Sequence, residues 1–463
     1  MKVSDNEYDR MAGRGVLCRS WQATLSKRSA DPQDFGRSRR HIGRMRNALI
    51  LILLLLVALP AVAADRELAL AREMLEDAIV RDDADGMQLA RERLLRIAAD
   101  ATDRSVLRDA HYLAALSAFF ESLSAYRDVS ATARLAVTGI RHADRALELD
   151  PQFADAWMLS AALRRNALRA GRVVPQDPAG APNRAAKAIE LDAKSPLVAF
   201  MSGIVRSMNP AGAANPEGVQ IIDDLAARLD ADRALTGRRF GLWDAQAHAW
   251  KILVRIASDE PSAETLRPMA ARLMEQRPDF ALGQVIAESV AEHRFVAAPA
   301  VTWQPFLTDP AGDGKVATHP DVIAVDRAES GDRLWYRVTF RDPLPRSFGT
   351  NVVINRSGDP ATGMPWWGTG STFRFDRLVT AWISRDGDRY FGRVGITDDD
   401  GARGARFSKI TSDVQLAMGA DDRSVMIGVP RAALELTDKS TIIVAGGTHL
   451  VWNDDATSAA NSR

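Results

Sequence analysis

The chain has 463 residues, in which 60 Lys and Arg residues balance 60 Asp and Glu residues, and a single cysteine, Cys18. One cysteine excludes a disulfide-stapled scaffold, and a chain of this size buries enough core without staples. Residues 1–64 carry 11 basic and 5 acidic side chains, which leaves 49 basic and 55 acidic side chains, a net charge of −6, for the rest. This balance, without a basic patch, argues against nucleic-acid binding. The length predicts two or three domains.

The N-terminus has the features of an export signal. Met45-Arg46 precede an unbroken apolar run, Ala48–Leu59, and the following Ala61–Ala64 matches an A-x-A cleavage site. The run is shorter than the roughly 20 apolar residues that a membrane-spanning helix needs. We therefore predict a leader and signal peptide at 1–64, with translation starting at Met45 and cleavage after Ala64. The mature chain would be periplasmic or secreted, without a membrane span; an uncleaved signal anchor is the alternative.

Residues 65–295 are predicted to form successive helices, because Ala, Leu, Arg and Glu dominate and apolar residues recur at helical spacing. The stripes in Glu67–Val80 and Met87–Ala98 are separated by the turn residues Arg81–Gly86, a pattern that predicts a helical hairpin. Trp243 and Trp250 lie seven residues apart and share one helical face, which is more typical of a core than of a binding stripe.

A short phrase occurs twice in this region. Arg145–Pro151 (RALELDP) is followed by an early Trp157, and Lys187–Asp192 (KAIELD) is followed by Pro196. The first junction resembles the boundary between two tetratricopeptide repeats, although the spacing of 42 residues needs an insertion, which the Pro- and Gly-rich stretch Val173–Pro182 supplies. Such repeats stack into an array with a concave face. The resemblance implies either a groove for a protein partner or a scaffold that only packs on the neighbouring domain.

After a linker at 296–308, apolar residues alternate with a period of two. Leu334, Tyr336, Val338 and Phe340 fall on one face of a predicted strand, and Trp335, Arg337 and Thr339 on the other. Further strands are predicted at Val322–Val325, Asn351–Asn355, Phe373–Ile383, Tyr390–Ile396, Val414–Met418, Ser424–Val429, Thr441–Ala445 and Leu450–Trp452. These strands, with no helix between them, predict an antiparallel β-sandwich over 309–455 and a disordered tail at 456–463. The predicted fold class is thus multidomain α + β, with N-terminal α-helical hairpin repeats and a C-terminal antiparallel β-sandwich.

Several phrases of the C-terminal half occur in an order found in one family. They are Asp309-Pro310-Ala311-Gly312-Asp313, Pro320-Asp321-Val322, Arg341-Asp342-Pro343-Leu344, the turn from Asn355 to Gly363, and Trp452-Asn453-Asp454. Residues 303–455 resemble a family 9-type carbohydrate-binding module or the related DOMON-like sandwiches. The resemblance implies saccharide binding by indole stacking, because the C–H faces of a sugar are apolar and an indole is flat and rigid. It also implies calcium in the loops.

The candidate ligand-binding residues are Trp366, Trp367, Trp382 and Trp452. Trp366 and Trp367 stand in a Gly- and Pro-rich loop between strands, where exposure is expected; burial in the core is the alternative for each. The candidate calcium ligands are Asp309, Asp313, Asp321 and Asp359. Asn355 and Ser357 stand where the family places further carboxylates, so the set is sparse for an ion that takes six to eight oxygens. An acidic turn without a metal is the alternative.

No catalytic motif is present: H-E-x-x-H, C-x-x-C and G-x-S-x-G are all absent. A pair of glycosidase carboxylates needs no local motif and stays open. We therefore expect an exported, non-catalytic protein whose sandwich binds a saccharide or similar small ligand, with the helices as scaffold or partner platform. The alternative is a periplasmic assembly factor whose helices bind a protein partner and whose sandwich is structural. If Trp366 and Trp367 are exposed, ligand binding by the sandwich is favoured. If these indoles are buried beside an open helical face, the assembly factor is favoured.

Overall fold

The computed structural model describes residues 64–125, 128–169, 180–207, 215–257, 263–314, 320–366, 373–398, 413–447, 455–457 and 460–461, and every structural statement below concerns these residues. The predicted signal segment up to residue 63 lies outside them. So do Trp367, Trp452 and the predicted strand Leu450–Trp452.

The described residues before 290 are helical, as predicted. The helices are α1 at 64–81, α2 Ala84–Asp100, α3 Arg104–Ser124, α4 Val129–Leu149, α5 Ala154–Arg169, α6 Gly180–Asp192, α7 Pro196–Ser207, α8 Pro216–Thr236, α9 Leu242–Ala257, α10 Ala263–Gln276 and α11 Ala281–Ser289. Polar caps fix several of the starts. Asp83, Asp103, Asp128 and Asn215 each accept a backbone N–H from the first turn of their helix. We call α1–α11 the helical half.

The helices form hairpins stacked side by side. Consecutive helices pack on each other from α2 to α6 and again from α7 to α11, and α3, α5, α7 and α9 also contact one another in that order. These four odd-numbered helices therefore form one layer of the helical half. The larger apolar core runs through the stack from Leu68 in α1 to Val290 after α11, and a second, smaller cluster joins α7, α8 and α9.

The repeated phrase forms the same local structure at both of its occurrences. Asp150 ends α4, and its Oδ1 accepts a hydrogen bond from the backbone N–H of Gln152 at 3.0 Å. Asp192 ends α6, and its Oδ1 accepts from the backbone N–H of Lys194 at 2.9 Å. Each aspartate thus ends one helix and orders the turn into the next, as expected for an Asx turn.

The first helix also contacts the other end of the helical half. Asp77 of α1 pairs with Arg277, which follows α10, at 3.2 Å. Glu73 of α1 pairs with Arg239, which precedes α9, at 3.5 Å. The chain of hairpins therefore returns to its own start, and α1 links both ends of the stack.

The C-terminal half is built of antiparallel strands, as predicted. They are β1 Glu292–Arg294, β2 Gln304–Thr308, β3 Val322–Ser330, β4 Arg333–Phe340, β5 Ser347–Asn355, β6 Met364–Pro365, β7 Arg374–Phe375, β8 Arg377–Asp386, β9 Arg389–Asp398, β10 Gln415–Met418, β11 Ser424–Pro430, β12 Thr441–Gly447, β13 Asp455–Ala456 and β14 Ala460–Asn461. Four differences from the predicted pattern stand out. A short helix, α12 Arg431–Leu434, lies between β11 and β12; Phe373–Ile383 divides into β7 and β8; the 296–308 segment contributes β2; and β14 lies within the 456–463 segment that we expected to be disordered.

Two sheets make up the sandwich. In the larger sheet the described strands are ordered β1-β9-β8-β5-β12-β13, and β14 also pairs with β12. In the smaller sheet the order is β10-β11-β4-β3-β2, and β6 and β7 form a separate ribbon. The predicted faces of β4 are confirmed. Leu334, Tyr336, Val338 and Phe340 belong to the core between the sheets, whereas Trp335 packs on the outer face with Ala417 and Met426.

The two halves are joined by a strand and by ion pairs. β1 follows α11 almost directly and, as the edge strand of the larger sheet, pairs with β9. Glu288 of α11 accepts a hydrogen bond from Arg393 of β9 at 2.8 Å, and Glu292 of β1 pairs with Arg267 of α10 at 2.9 Å. The sandwich is therefore docked on the last helices of the helical half.

Candidate functional site

Trp366, the central residue of the predicted sugar site, is buried. Its side chain is only 2% exposed and packs in a cluster with Val353, Leu378 and Ile443 on the outer face of the larger sheet. The ring of Phe375 meets the indole edge-on, with centroids 5.7 Å apart. The loop thus covers the sheet with this indole and does not present it to solvent.

Trp382 lies on the same outer face and is half-buried. It stands opposite Gly349 in the β5–β8 pair. A Cβ on Gly349 would lie 3.2 Å from Trp382 Cδ1, so the indole rests directly on the glycine backbone. Trp367 and Trp452 lie outside the described residues. The structure therefore does not assemble the four predicted indoles into a described site.

The predicted calcium ligands also do not form a site among the described residues. Asp313 and Asp359 are exposed and Asp309 is half-buried. Asp321 is buried, but its Oδ2 already accepts the backbone N–H of Gly312 at 2.7 Å and pairs with Arg341 at 2.9 Å. Arg341 thus supplies a counter-charge to Asp321 Oδ2. No group of three or more His, Cys, Asp or Glu side chains in the described ranges is placed to hold a metal ion.

A cavity of about 150 Å³ opens in the layer of odd-numbered helices. Four aromatic rings supply much of its wall: Phe119 and Phe120 from α3, Phe200 from α7 and Trp250 from α9. The three phenylalanines are nearly fully buried. Phe200 and Trp250 meet edge-on at a centroid distance of 6.3 Å, which fixes that side of the wall.

Gln246 is the unusual residue of this wall. It lies one helical turn before Trp250 on the same face of α9, and its side chain is only 6% exposed. Its amide makes no hydrogen bond to the described part of the chain. The amide atoms are not among the fully buried, unsatisfied polar atoms of the described chain, so they remain accessible from the cavity. The cavity therefore contains a polar group that is available to a ligand.

Two polar residues of α5 complete the wall. Asn166 Nδ2 donates to Ser122 Oγ of α3 at 3.0 Å, which orients its amide. Arg165 is exposed and is the only charged residue among the described lining residues. It forms no ion pair within the described ranges. Arg165 and Val205, which is 48% exposed, mark the mouth of the cavity.

This arrangement is suited to binding an apolar group. The aromatic wall takes one ring-sized apolar group, since an apolar cavity of this order holds a single benzene ring. Gln246 offers a donor and an acceptor at the wall, and Arg165 offers a positive charge at the mouth. The lining contains no acidic, nucleophilic or metal-binding set of side chains among the described residues.

Comparison with known proteins adds no assignment. The chain matches no family model, and no curated protein sequence matches it. Among the described helices, none has the length and apolar content needed to cross a membrane.

The sequence did not point to this cavity. Trp250 was interpreted as a core residue, and it does pack on Phe200, but it also lines the cavity. The one available signal was Gln246 itself, a polar residue in the otherwise apolar stripe of α9 between Trp243 and Trp250.

A histidine pair joins α3 to α4 elsewhere in the helical half. His111 Nδ1 and His142 Nδ1 are 3.2 Å apart, and the two rings are nearly parallel. Burial lowers the pKa of both residues, and for His142 the neighbouring His111, Arg91 and Arg141 lower the pKa further, to about 4. Arg145 also lowers the pKa of His111, which Glu148 partly offsets.

These shifts predict a pH-dependent stability. An unfolded histidine has a pKa of about 6.5. Between about pH 4 and pH 6.5 the unfolded chain therefore binds more protons than the folded chain. The stabilisation is complete above about pH 6.5 and is lost as the pH falls toward 4. We expect the urea midpoint to be lower at about pH 4.5 than at about pH 7.5, and the difference to shrink in His142→Phe. An unchanged difference in the variant would refute the assignment.

Proposed function

We propose that this chain is a non-catalytic binding protein whose helical half receives an apolar side chain of a protein partner in the cavity between α3, α5, α7 and α9. The observation that carries the proposal is Gln246, a largely buried residue in an aromatic wall whose amide makes no hydrogen bond within the described chain and stays accessible from the cavity. A purely structural core would be expected to fill this space or to pair this amide.

The repeated turn supports the same proposal. Asp150 and Asp192 end helices in the same way, and the helices between them stack as hairpins. This agrees with degenerate tetratricopeptide-like repeats, an architecture whose stacked hairpins present extended binding surfaces. Burial of Trp366 beside an open helical cavity favours the partner-binding alternative over saccharide binding through exposed indoles. The sandwich, in this proposal, is a structural module docked on α10 and α11.

We also propose that the protein acts after export. The proposal rests on the apolar run Ala48–Leu59 and the A-x-A site that ends at Ala64. N-terminal sequencing of the protein recovered from the periplasm of an expressing bacterium tests it, and the expected first residue is Asp65. A chain that retains residues 45–64 would refute cleavage.

The binding proposal is tested by selection from a random peptide library displayed on phage, with the purified chain as the target. Val205→Trp places a large ring at the mouth of the cavity on an already exposed position, so the fold should tolerate it. The selected peptides are expected to lose binding to this variant. Leu235→Trp is the matched control, because Leu235 is an exposed apolar residue of α8 that does not line the cavity. Peptides that bind both variants equally, or a failure to enrich any peptide, would refute the proposal.

A further inference from the structure

We infer that the ligand of this cavity is an extended peptide segment that inserts one aromatic or branched aliphatic side chain, bonds through its backbone to Gln246 and places an acidic side chain opposite Arg165. The inference rests on the proposed function and names the chemistry of the partner. Three observations carry it, one for each contact.

The first observation is the size of the cavity and the character of its wall. About 150 Å³ holds one ring or one branched side chain of a ligand that continues outside the mouth. Phe119, Phe120, Phe200 and Trp250 offer apolar faces and edges. A sugar would instead need hydrogen bonds to most of its hydroxyl groups, and the described wall offers only the side chains of Arg165, Asn166 and Gln246 as strong polar groups.

The second observation is the unpaired amide of Gln246. A carboxamide carries both a donor and an acceptor, and one peptide group presents the complementary acceptor and donor. A backbone segment that runs past the wall can satisfy both at once while its side chain occupies the cavity. Within the described chain Asn166 donates to Ser122 and forms no hydrogen bond with Gln246.

The third observation is the charge at the mouth. Arg165 is the only charged residue of the described lining, and no acidic residue lies in that lining to neutralise it. A ligand that carries a carboxylate next to the inserted side chain therefore gains a favourable contact, whereas a basic ligand is repelled. A guanidinium binds a carboxylate through two parallel hydrogen bonds, which also fixes the direction of the segment.

The test is calorimetric titration of the purified chain with defined peptides. The first peptide is acetyl-Ala-Phe-Asp-Ala-amide, and the second has lysine in place of the aspartate. A third carries an N-methyl group on the phenylalanine nitrogen, which removes one backbone donor. We expect the aspartate peptide to bind at least about tenfold more tightly than either of the others.

Two variants assign the contacts. Gln246→Met keeps the size of the side chain and removes the amide, so it should weaken the aspartate peptide about tenfold and abolish the effect of N-methylation. Arg165→Glu, a change at an exposed position, should reverse the preference between the aspartate and lysine peptides.

Several outcomes would overturn the inference. The first is equal binding of the aspartate and lysine peptides, and the second is no effect of peptide N-methylation on binding to the unsubstituted protein. The third is that N-acetylphenylalaninamide binds as tightly as the whole peptide, which would indicate a site for a free small molecule. The N-methyl comparison needs no variant, so it decides the backbone contact even if Gln246→Met fails to fold. If none of these peptides binds while library peptides are lost in Val205→Trp, the inference fails and the proposed function stands.

Discussion

Replacing Asp244 by asparagine is expected to lower the free energy of unfolding by about 2 kcal/mol, because it removes the buried carboxylate that Arg233 and Arg238 share. The substitution leaves the two arginines only their more exposed partners, Asp230 and Asp232. Asp244 is 1% exposed. Its Oδ2 accepts from Arg238 at 2.6 Å, and its Oδ1 accepts from Arg238 and from Arg233 at 3.1 Å each. The hydrogen bond to Asp244 raises the pKa of Arg238, and the guanidinium stays charged without that bond because arginine is not deprotonated in proteins.

The position of Asp244 connects this stability to the candidate site. It stands in the first turn of α9, where its Oδ2 also accepts the backbone N–H of Gly241 at 3.0 Å and where a negative charge is favoured by the helix dipole. Gln246 follows two residues later. The cluster therefore fixes the start of the helix that carries the buried amide.

The measurement is urea unfolding followed by circular dichroism. Glu217→Gln is the matched control, because Glu217 forms an exposed ion pair with Arg206 and its loss should cost less than about 1 kcal/mol. Equal effects of the two substitutions would show that the Asp244 cluster is no more stabilising than a surface pair.

The elements were predictable from the sequence because their signals are local. Helix formers at helical spacing indicated α1 and α2, and the alternation of apolar residues indicated both faces of β4. The elements that were missed are short or depend on distant partners. β1 and β2 become strands only because β9 and β3 offer free edges to them. β14 has only two residues and is defined by its pairing with β12.

The cavity could not be predicted, because its wall comes from four helices that are separated along the chain. Phe119, Phe200 and Trp250 each lie on an apolar face of a helix and are locally indistinguishable from core residues. Whether the space between such faces is filled depends on how closely the helices pack, and no spacing in the sequence encodes this distance. Only Gln246 broke the local pattern.

The exposure of Trp366 also depends on tertiary packing, which the local sequence does not reveal. Its Gly- and Pro-rich surroundings indicated a loop, and the structure forms the short strand β6 directly before it. Residues in such a segment are exposed only when nothing beneath them needs cover. The outer face of the larger sheet carries Val353, Leu378 and Ile443 at one end, an apolar patch that requires burial. Trp366 covers this patch. The patch exists only because the register of β5, β8 and β12 brings the three residues together.

Replacing Gly392 by alanine is expected to destabilise the sandwich by about 3 kcal/mol, because the added methyl group has no space. Gly392 lies in β9 with a φ of +156°, and a Cβ there would stand 1.8 Å from the carbonyl oxygen of Trp382 and 2.7 Å from Ile383 Cα. These are backbone atoms of β8 within a continuous ladder, so they cannot move without breaking strand pairs. The Gly392 N–H also donates to Ala291 O at 3.2 Å, next to the start of β1, so the strain would reach the junction with the helical half.

Gly349→Ala is the matched control, because it adds the same methyl group beside the same tryptophan. A Cβ on Gly349 would have Trp382 Cδ1 as its nearest atom, at 3.2 Å. This atom is at the edge of a half-buried indole, which can shift by a few tenths of an ångström. Alanine also restricts the unfolded chain relative to glycine, which offsets part of the cost. We therefore expect Gly349→Ala to change the free energy of unfolding by about 1 kcal/mol or less. Urea unfolding followed by tryptophan fluorescence separates the two cases, and equal losses in both variants would contradict the close approach of β9 to the β8 backbone.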